Sequence, residues 1–485
     1  MKTYIPVLFP FILLLTEFKT GIAQIIGGNG EGLTTIISDN DIPQLQLLNA
    51  THPIAIRWPG GGDSKLAFPA LDKPGLGMNK DSIEKLYIEF TDPKDRVKQD
   101  KLEKDLKQAD NDALRPRSAI LELIDLSHKL KNLQVDYCLN VLQGNVESNI
   151  SAIQTLIDSG VNIISIVAGN ETFYSYKYDF EAYRRDFEPI FEVCEKKWPA
   201  IRRLLCIGQE LGKADHIKWN NALIKYVNET GDLISGVDVH YYLFNELKDA
   251  NALHPKSVVY RSDSTYQTLD AAFEKYILLT KADKGLDEYV AYLKKNLPGK
   301  IYHCTEFGDK QAEYWSNTIA NAGHIFDIFC TYRNDFQILL VQNFIANWYW
   351  AARRPAGKLD ANPEGLEKIN RCHWYAIQLA NELPYETPRL NDKTELNMAG
   401  TYYFYFNHSG EEKMLPEFAF KNCKMITCEI HYLSGNHTYS SAGQTGFMAK
   451  NSQKTLEVQG IDVISGNSIM EIPANAFGYI KIITE

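Results

Sequence analysis

A chain of 485 residues, 45% hydrophobic and 23% charged, exceeds the roughly 250 to 300 residues at which a single core stops growing, so a large domain and a smaller second one are expected. The net charge of -10 and isoelectric point near 5.7 exclude a broad nucleic-acid surface, because phosphate binding requires clustered lysine and arginine.

The N-terminal segment stands apart. Lys2 precedes an apolar run from Ile5 to Leu15 that is too short to span a bilayer, and Gly21 and Ala23 are small residues where a signal peptidase cuts. Residues 1 to 23 therefore read as a cleaved export signal, which makes the mature protein secreted or periplasmic. No later segment reaches the ~20 apolar residues of a membrane span. Of the eight cysteines, Cys138, Cys206 and Cys304 fall inside hydrophobic runs and suit buried thiols. Cys423 and Cys428 are the best-spaced pair for a disulfide, and no Cys/His group has zinc-ligand spacing.

From the signal to about residue 385 one theme recurs. A short apolar, β-branched segment ends in Gly, Asn, Glu or His, and an amphipathic stretch follows. The segments are QIIGGN (24 to 29), IAIRWPGG (54 to 61), QVDYCLNV (134 to 141), NIISIVAGNE (162 to 171), RLLCIGQE (203 to 210), ISGVDVHYY (234 to 242), KIYHCTEFG (300 to 308) and QILLVQNFIANWYW (337 to 350). Eight buried strands alternating with helices predict an α/β chain with a (β/α)8 TIM barrel over residues 24 to 385. An insertion of about residues 62 to 130 interrupts it. Within that insertion, residues 91 to 112 carry mixed charges at helical spacing and read as a solvated helix, with a substrate-covering lid as the alternative. Residues 386 to 485 change to alternating runs separated by Gly, Asn and Ser turns, which predicts an all-β sandwich packed on the barrel.

In a TIM barrel the C-terminal ends of the strands form the active-site face. The fourth predicted strand ends in Glu171 and the seventh carries Glu306 near its end. Paired carboxylates suit glycosidic bond cleavage, since one must protonate the leaving oxygen while the other attacks or stabilises the oxocarbenium-like carbon. Glu210, ending the fifth strand, is a rival that ranks lower because no Asn precedes it. PGGGDS (59 to 64) lacks the Gly-Lys-Ser/Thr ending of a phosphate loop. Phe173, Tyr174, Tyr176 and Tyr178 either line a saccharide cleft or pack a loop, and Lys65 and Arg57 near one strand end would suit an anionic sugar.

An Asn-Glu pair after the fourth strand with a glutamate at the seventh resembles the clan A glycoside hydrolases, retaining enzymes on a TIM barrel. RWPGG (57 to 61) is similar to the Arg-aromatic-Pro-Gly-Gly strand end of α-L-arabinofuranosidases and of the heparanase and β-glucuronidase group, as is the barrel followed by a β-sandwich. The resemblance implies that Glu171 is the general acid/base, Glu306 the nucleophile, and Asn170 a hydrogen-bond partner of the sugar 2-hydroxyl. It implies also that His240 or Tyr242 reaches the nucleophile, that Arg57 holds Glu306 charged, and that Trp348 and Trp350 offer ring faces to a sugar. One departure is that GNE is followed here by TFYSYKYD instead of Pro or Leu, which leaves the adjoining subsite open. The function expected is a secreted retaining glycosidase acting on a plant or algal polysaccharide or oligosaccharide, with no cofactor and no metal. Two alternatives stay open: a non-catalytic carbohydrate-binding protein on a degenerate barrel, and a metal-dependent hydrolase, for which only His240 is suitably placed.

Overall fold

A computed structural model describes residues 25–29, 41–95, 97–242, 285–308, 319–342, 344, 372–384, 387–389, 402–407, 413–414, 426–434, 457–458, 471–472 and 476–484. The proposed export signal, Cys423, Trp348 and Trp350 lie outside these residues. No helix among the described residues is long and apolar enough to cross a membrane.

Eight strands, β1 (Ile25–Asn29), β2 (Ala55–Trp58), β3 (Gln134–Cys138), β4 (Asn162–Val167), β5 (Arg202–Cys206), β6 (Gly236–Tyr242), β7 (Ile301–Gly308) and β8 (Ile338–Val341), pair in parallel. They close into a barrel in which β8 bonds back to β1. Strands in such a barrel are covered on both faces, so they read as continuous hydrophobic runs, and β2, β6 and β8 are buried at every position. The described outer helices are α1 (Ile42–Asn49), α2 (Lys80–Phe90), α3 (Lys98–Ala113), α4 (Ala119–Lys129), α5 (Val146–Asp158), α6 (Phe180–Lys197), α7 (Ala214–Glu229), α8 (Gly285–Asn296), α9 (Ile319–Thr331) and α10 (Cys372–Glu382). Their starts are legible. Asn145 and Ser148 form a reciprocal capping box before α5, and Asp179 accepts the Ala182 amide before α6. Helix α6 then buries Tyr183, Phe187, Ile190, Phe191 and Cys194, the three- and four-residue spacing of one helical face.

All eight predicted strands exist, but several stop sooner than the apolar runs suggest. β2 ends at Trp58 because Gly60 and Gly61 adopt positive φ, and β4 ends at Val167 because Gly169 has φ +83°. These left-handed positions break the ladder and turn the chain into loops on the active-site face. Glu171 therefore stands in a loop beyond β4, and Glu210 lies beyond the end of β5 at Cys206.

The charged part of the insertion is a helix, α3, whose outer face is exposed and whose Ala109 and Asp112 are buried. Asp112 accepts the amides of Leu76 (2.8 Å) and Met78 (3.0 Å), while Gln108 donates to Asp63 at 2.6 Å. These bonds anchor the helix on the barrel's β2 loop, which argues against a freely closing lid.

Toward the C-terminus the chain forms an antiparallel sheet in the order β12 (Glu457–Val458), β11 (Ile426–Ser434), β14 (Ala476–Thr484), β9 (Tyr402–Asn407), and a small antiparallel pair, β10 (Lys413–Met414) and β13 (Glu471–Ile472). Phe404 and Phe477 pack their rings 6.2 and 5.2 Å from Phe326 of α9, and Tyr479 donates to Glu382 of α10 at 2.9 Å. The β domain is thus seated on two barrel helices. Cys138, Cys194, Cys206, Cys304 and Cys330 are free, buried thiols, and burial pushes Cys138 up to about 11.

Candidate active site

Glu171 follows the β4 turn. Gly169 leaves no room for a side chain, since a Cβ there would meet Val141 at 2.7 Å and Thr172 at 2.8 Å. Glu171 itself adopts φ +46°, ψ +41°, the left-handed conformation, at the start of a 3-10 turn over Thr172–Tyr174. A non-glycine residue in that region costs about 1 kcal/mol or more and persists only where its surroundings hold it. Here the Tyr183 hydroxyl donates to the Ala168 carbonyl (2.7 Å), and the Cys206 thiol to the Gly169 carbonyl (2.9 Å). The turn brings the carboxylate to within 3.0 Å of His240 on β6.

Glu306 is carried by β7 and is 3% exposed. The β6–β7 register shifts between Val239 and His240, so that His240 pairs with Glu306 and Thr305 is the extra residue. Such a bulge re-aims side chains at a barrel rim. Arg57, fully buried, donates through Nη1 to Glu306 Oε1 at 2.7 Å and to Asn170 Oδ1 at 2.8 Å. It also lies 3.4 Å from Asp238 and 4.0 Å from Asp136. A buried guanidinium facing three carboxylates from three strands offsets charges that would otherwise be stranded in the barrel. Tyr242 donates its hydroxyl to Glu306 Oε2. Burial, and then the Glu306 and Glu171 charges, push that phenol well above its ordinary value, so it keeps its proton and serves as a donor. Both oxygens of Glu306 thus have donors.

His240 joins the two carboxylates, its Nδ1 lying 3.0 Å from Glu171 Oε1 and 3.5 Å from Glu306 Oε2. Its Nε2 is 3.5 Å from Asp238, which in turn accepts from Thr305 at 2.7 Å. Gln209 donates to Glu171 Oε1 as well. Glu171, His240 and Glu306 each offer a polar atom within 4.8 Å of the others. The structure therefore brings Glu171, Glu306, Asn170, Arg57, His240 and Tyr242 together. Glu210 is not among them: it accepts from Tyr174 (3.1 Å) and pairs with Lys213 (3.5 Å). Lys65 ends a 3-10 turn over Gly62–Lys65. Burial pulls its pKa down, with the Glu171 charge acting against that pull.

Sequence reading passed over Gln209, Asp238 and Thr305. Asp238 had a signal, since residues 238, 240 and 242 alternate along β6 and so share one side of the strand. Gln209 had none beyond its place before Glu210.

Burial alone would lower the His240 pKa, but the Glu306 charge and the hydrogen bonds to Asp238 and Glu171 outweigh it and bring it to about 9. The unfolded value lies near 6.5. Between those values the folded protein holds a proton that the unfolded chain has released. The stabilisation is complete below about pH 6.5 and is lost as pH rises through about 9, amounting to roughly 3 kcal/mol. Urea unfolding from pH 6 to 10 should show this decline, and His240→Gln should remove it; an equal decline in the variant would assign it to other groups.

No family model matches the chain, and neither does any curated protein sequence. Among solved structures, a family 51 alpha-L-arabinofuranosidase from Bifidobacterium longum matches with a TM-score of 0.51 at 10% identity, over 96% of this chain and 97% of that one. Xylanase 10B from Thermotoga maritima matches with a TM-score of 0.34 at 11% identity, over 75% of this chain and 96% of that one. The first likeness, which spans both chains almost completely, is one of fold: this chain is a (β/α)8 barrel with a C-terminal β domain, the architecture of a known glycoside hydrolase.

Proposed function

We propose that the protein is a retaining glycosidase in which Glu171 is the acid/base and Glu306 the nucleophile. The observation that carries this reading is the approach of the two glutamates to within 4.8 Å, oxygen to oxygen. Retaining enzymes hold their carboxyl groups about 5 to 5.5 Å apart, whereas inverting ones need about 6.5 to 9.5 Å to admit a water. In the first step Glu306 forms a bond to the anomeric carbon while the glycosidic C–O bond breaks, and Glu171 gives its proton to the departing oxygen. In the second, Glu171 takes a proton from water, whose oxygen attacks the anomeric carbon and releases Glu306 as a carboxylate. Asn170, which accepts from Arg57 at 2.8 Å, would hydrogen-bond the 2-hydroxyl of the bound sugar. The substrate is a plant or algal polysaccharide or an oligosaccharide derived from one, met after export through residues 1 to 23.

A metal-dependent hydrolase is the weaker reading. By distance, Glu171, His240 and Glu306 could hold an ion, but the Arg57 guanidinium is already 2.7 Å from Glu306 and competes with any cation there. The test is product release by the mature protein and its Glu306→Ala variant from arabinan, xylan, β-glucan and algal polysaccharides and from aryl glycosides. Cleavage lost in the variant supports the reading. Cleavage that survives it, or polysaccharide binding without cleavage, would favour a different centre or the binding-protein alternative.

A further inference from the structure

Between the insertion and the loop after β4 runs a groove of about 1010 Å³. Its two walls are joined: the Tyr176 amide donates to the Phe90 carbonyl at 2.9 Å, and the Phe90 and Tyr178 rings meet edge-on at 5.5 Å. Its lining includes Lys65, which ends the 3-10 turn that follows β2. Tyr174, on the same 3-10 turn that Glu171 begins, lines it and is 44% exposed.

Tyr174 is held in place. Its hydroxyl donates to Glu210 (3.1 Å), Lys213 lies 4.8 Å from the ring centroid, and Phe173 and His216 brace it at 4.7 and 5.0 Å. A fixed aromatic ring loses little freedom on binding and presents apolar area with polar neighbours, which suits a sugar ring. The remaining lining carries both signs, with Lys101 and Lys104 among Asp92 and Asp105. Such a surface offers donors and acceptors to hydroxyl groups and no single-sign field for a polyanion.

From this geometry, and on the strength of the acid/base role proposed for Glu171, we infer that the groove binds the leaving-group side of an uncharged or weakly charged saccharide chain, with Tyr174 as a stacking platform. The proton donor marks the leaving oxygen, and Tyr174 stands on the turn that this donor begins, its amide donating to the Glu171 carbonyl at 3.1 Å. The departing chain therefore runs along the groove, and the protein acts on chains that continue past the cleaved bond.

The test uses calorimetric titration of the mature protein carrying Glu306→Ala, which prevents hydrolysis, with linear arabino-, xylo- and cello-oligosaccharides of two and six units. In at least one series the six-unit chain should bind about tenfold or more tighter than the two-unit one. Tyr174→Ala should remove that gain, and Tyr174→Phe, which keeps the ring and loses the Glu210 bond, should retain it. A gain absent from every series, or unchanged in Tyr174→Ala, overturns the inference. The two readings fail separately. Length-dependent binding with no cleavage by the unmodified protein sinks the glycosidase and leaves the groove, whereas cleavage without length dependence does the reverse.

Discussion

Glu306→Ala should lower turnover by ~10⁴ to 10⁶-fold, the scale on which a nucleophile's removal is felt when the remaining site still binds substrate. The loss should be independent of the leaving group, because no covalent intermediate can form with good or poor ones. The cavity left by the missing carboxylate lies between Arg57 and Tyr242, whose donors would still point into it. A small anion such as azide, added to the variant with a reactive aryl glycoside, should occupy it and attack the anomeric carbon. The expected product is a glycosyl azide of inverted configuration, read by nuclear magnetic resonance. An azide product of retained configuration would instead place the nucleophile elsewhere.

Glu171→Gln has the second largest expected effect, and it divides by substrate. The amide keeps a hydrogen bond to Gln209 or His240 within reach but has no acidic proton to give. Substrates whose leaving group needs protonation should lose ~10² to 10⁴ in rate. Those with a strongly acidic phenol should form the glycosyl-enzyme at nearly the original rate and then accumulate it, since no base activates water. A burst of phenol equal to the enzyme concentration, followed by a slow steady rate, is the expected trace in rapid mixing. Uniform loss across leaving groups with no burst would show that Glu171 does not transfer the proton.

The fold was legible because its strongest signal is local. Eight apolar runs separated by amphipathic stretches have few solutions other than a closed parallel barrel, and β6 even displays the alternation of Asp238, His240 and Tyr242 in its letters. Where strands end was less legible. The apolar run continues through Ala168, past the end of β4 at Val167 and up to the turn at Gly169, and hydrophobicity does not record φ. The carboxylate pair could be nominated from strand ends, but its spacing could not, because it depends on a bulge at Thr305 and a left-handed backbone at Glu171. Arg57 was readable as a cation near a strand end. Asp136 is its partner on the adjacent strand β3, but its contacts with Asp238 and Glu306 cross the barrel from β6 and β7, a relation visible only once the sheet has closed. The mixed charges of residues 91 to 112 reported a helix correctly and concealed its anchor, since Asp112 reads as one more surface acid until it is seen accepting two backbone amides.

The double-displacement mechanism is the centre of this account, and the stereochemistry of the first product tests it most directly. With a substrate cleaved by the unmodified protein, anomeric proton signals would be followed by nuclear magnetic resonance from the first minutes, before mutarotation mixes the anomers. Two displacements at one carbon restore its configuration, so the first sugar released should carry the substrate's own anomeric configuration. If the opposite anomer appears first, a single displacement by water has occurred, and Glu306 is not the nucleophile.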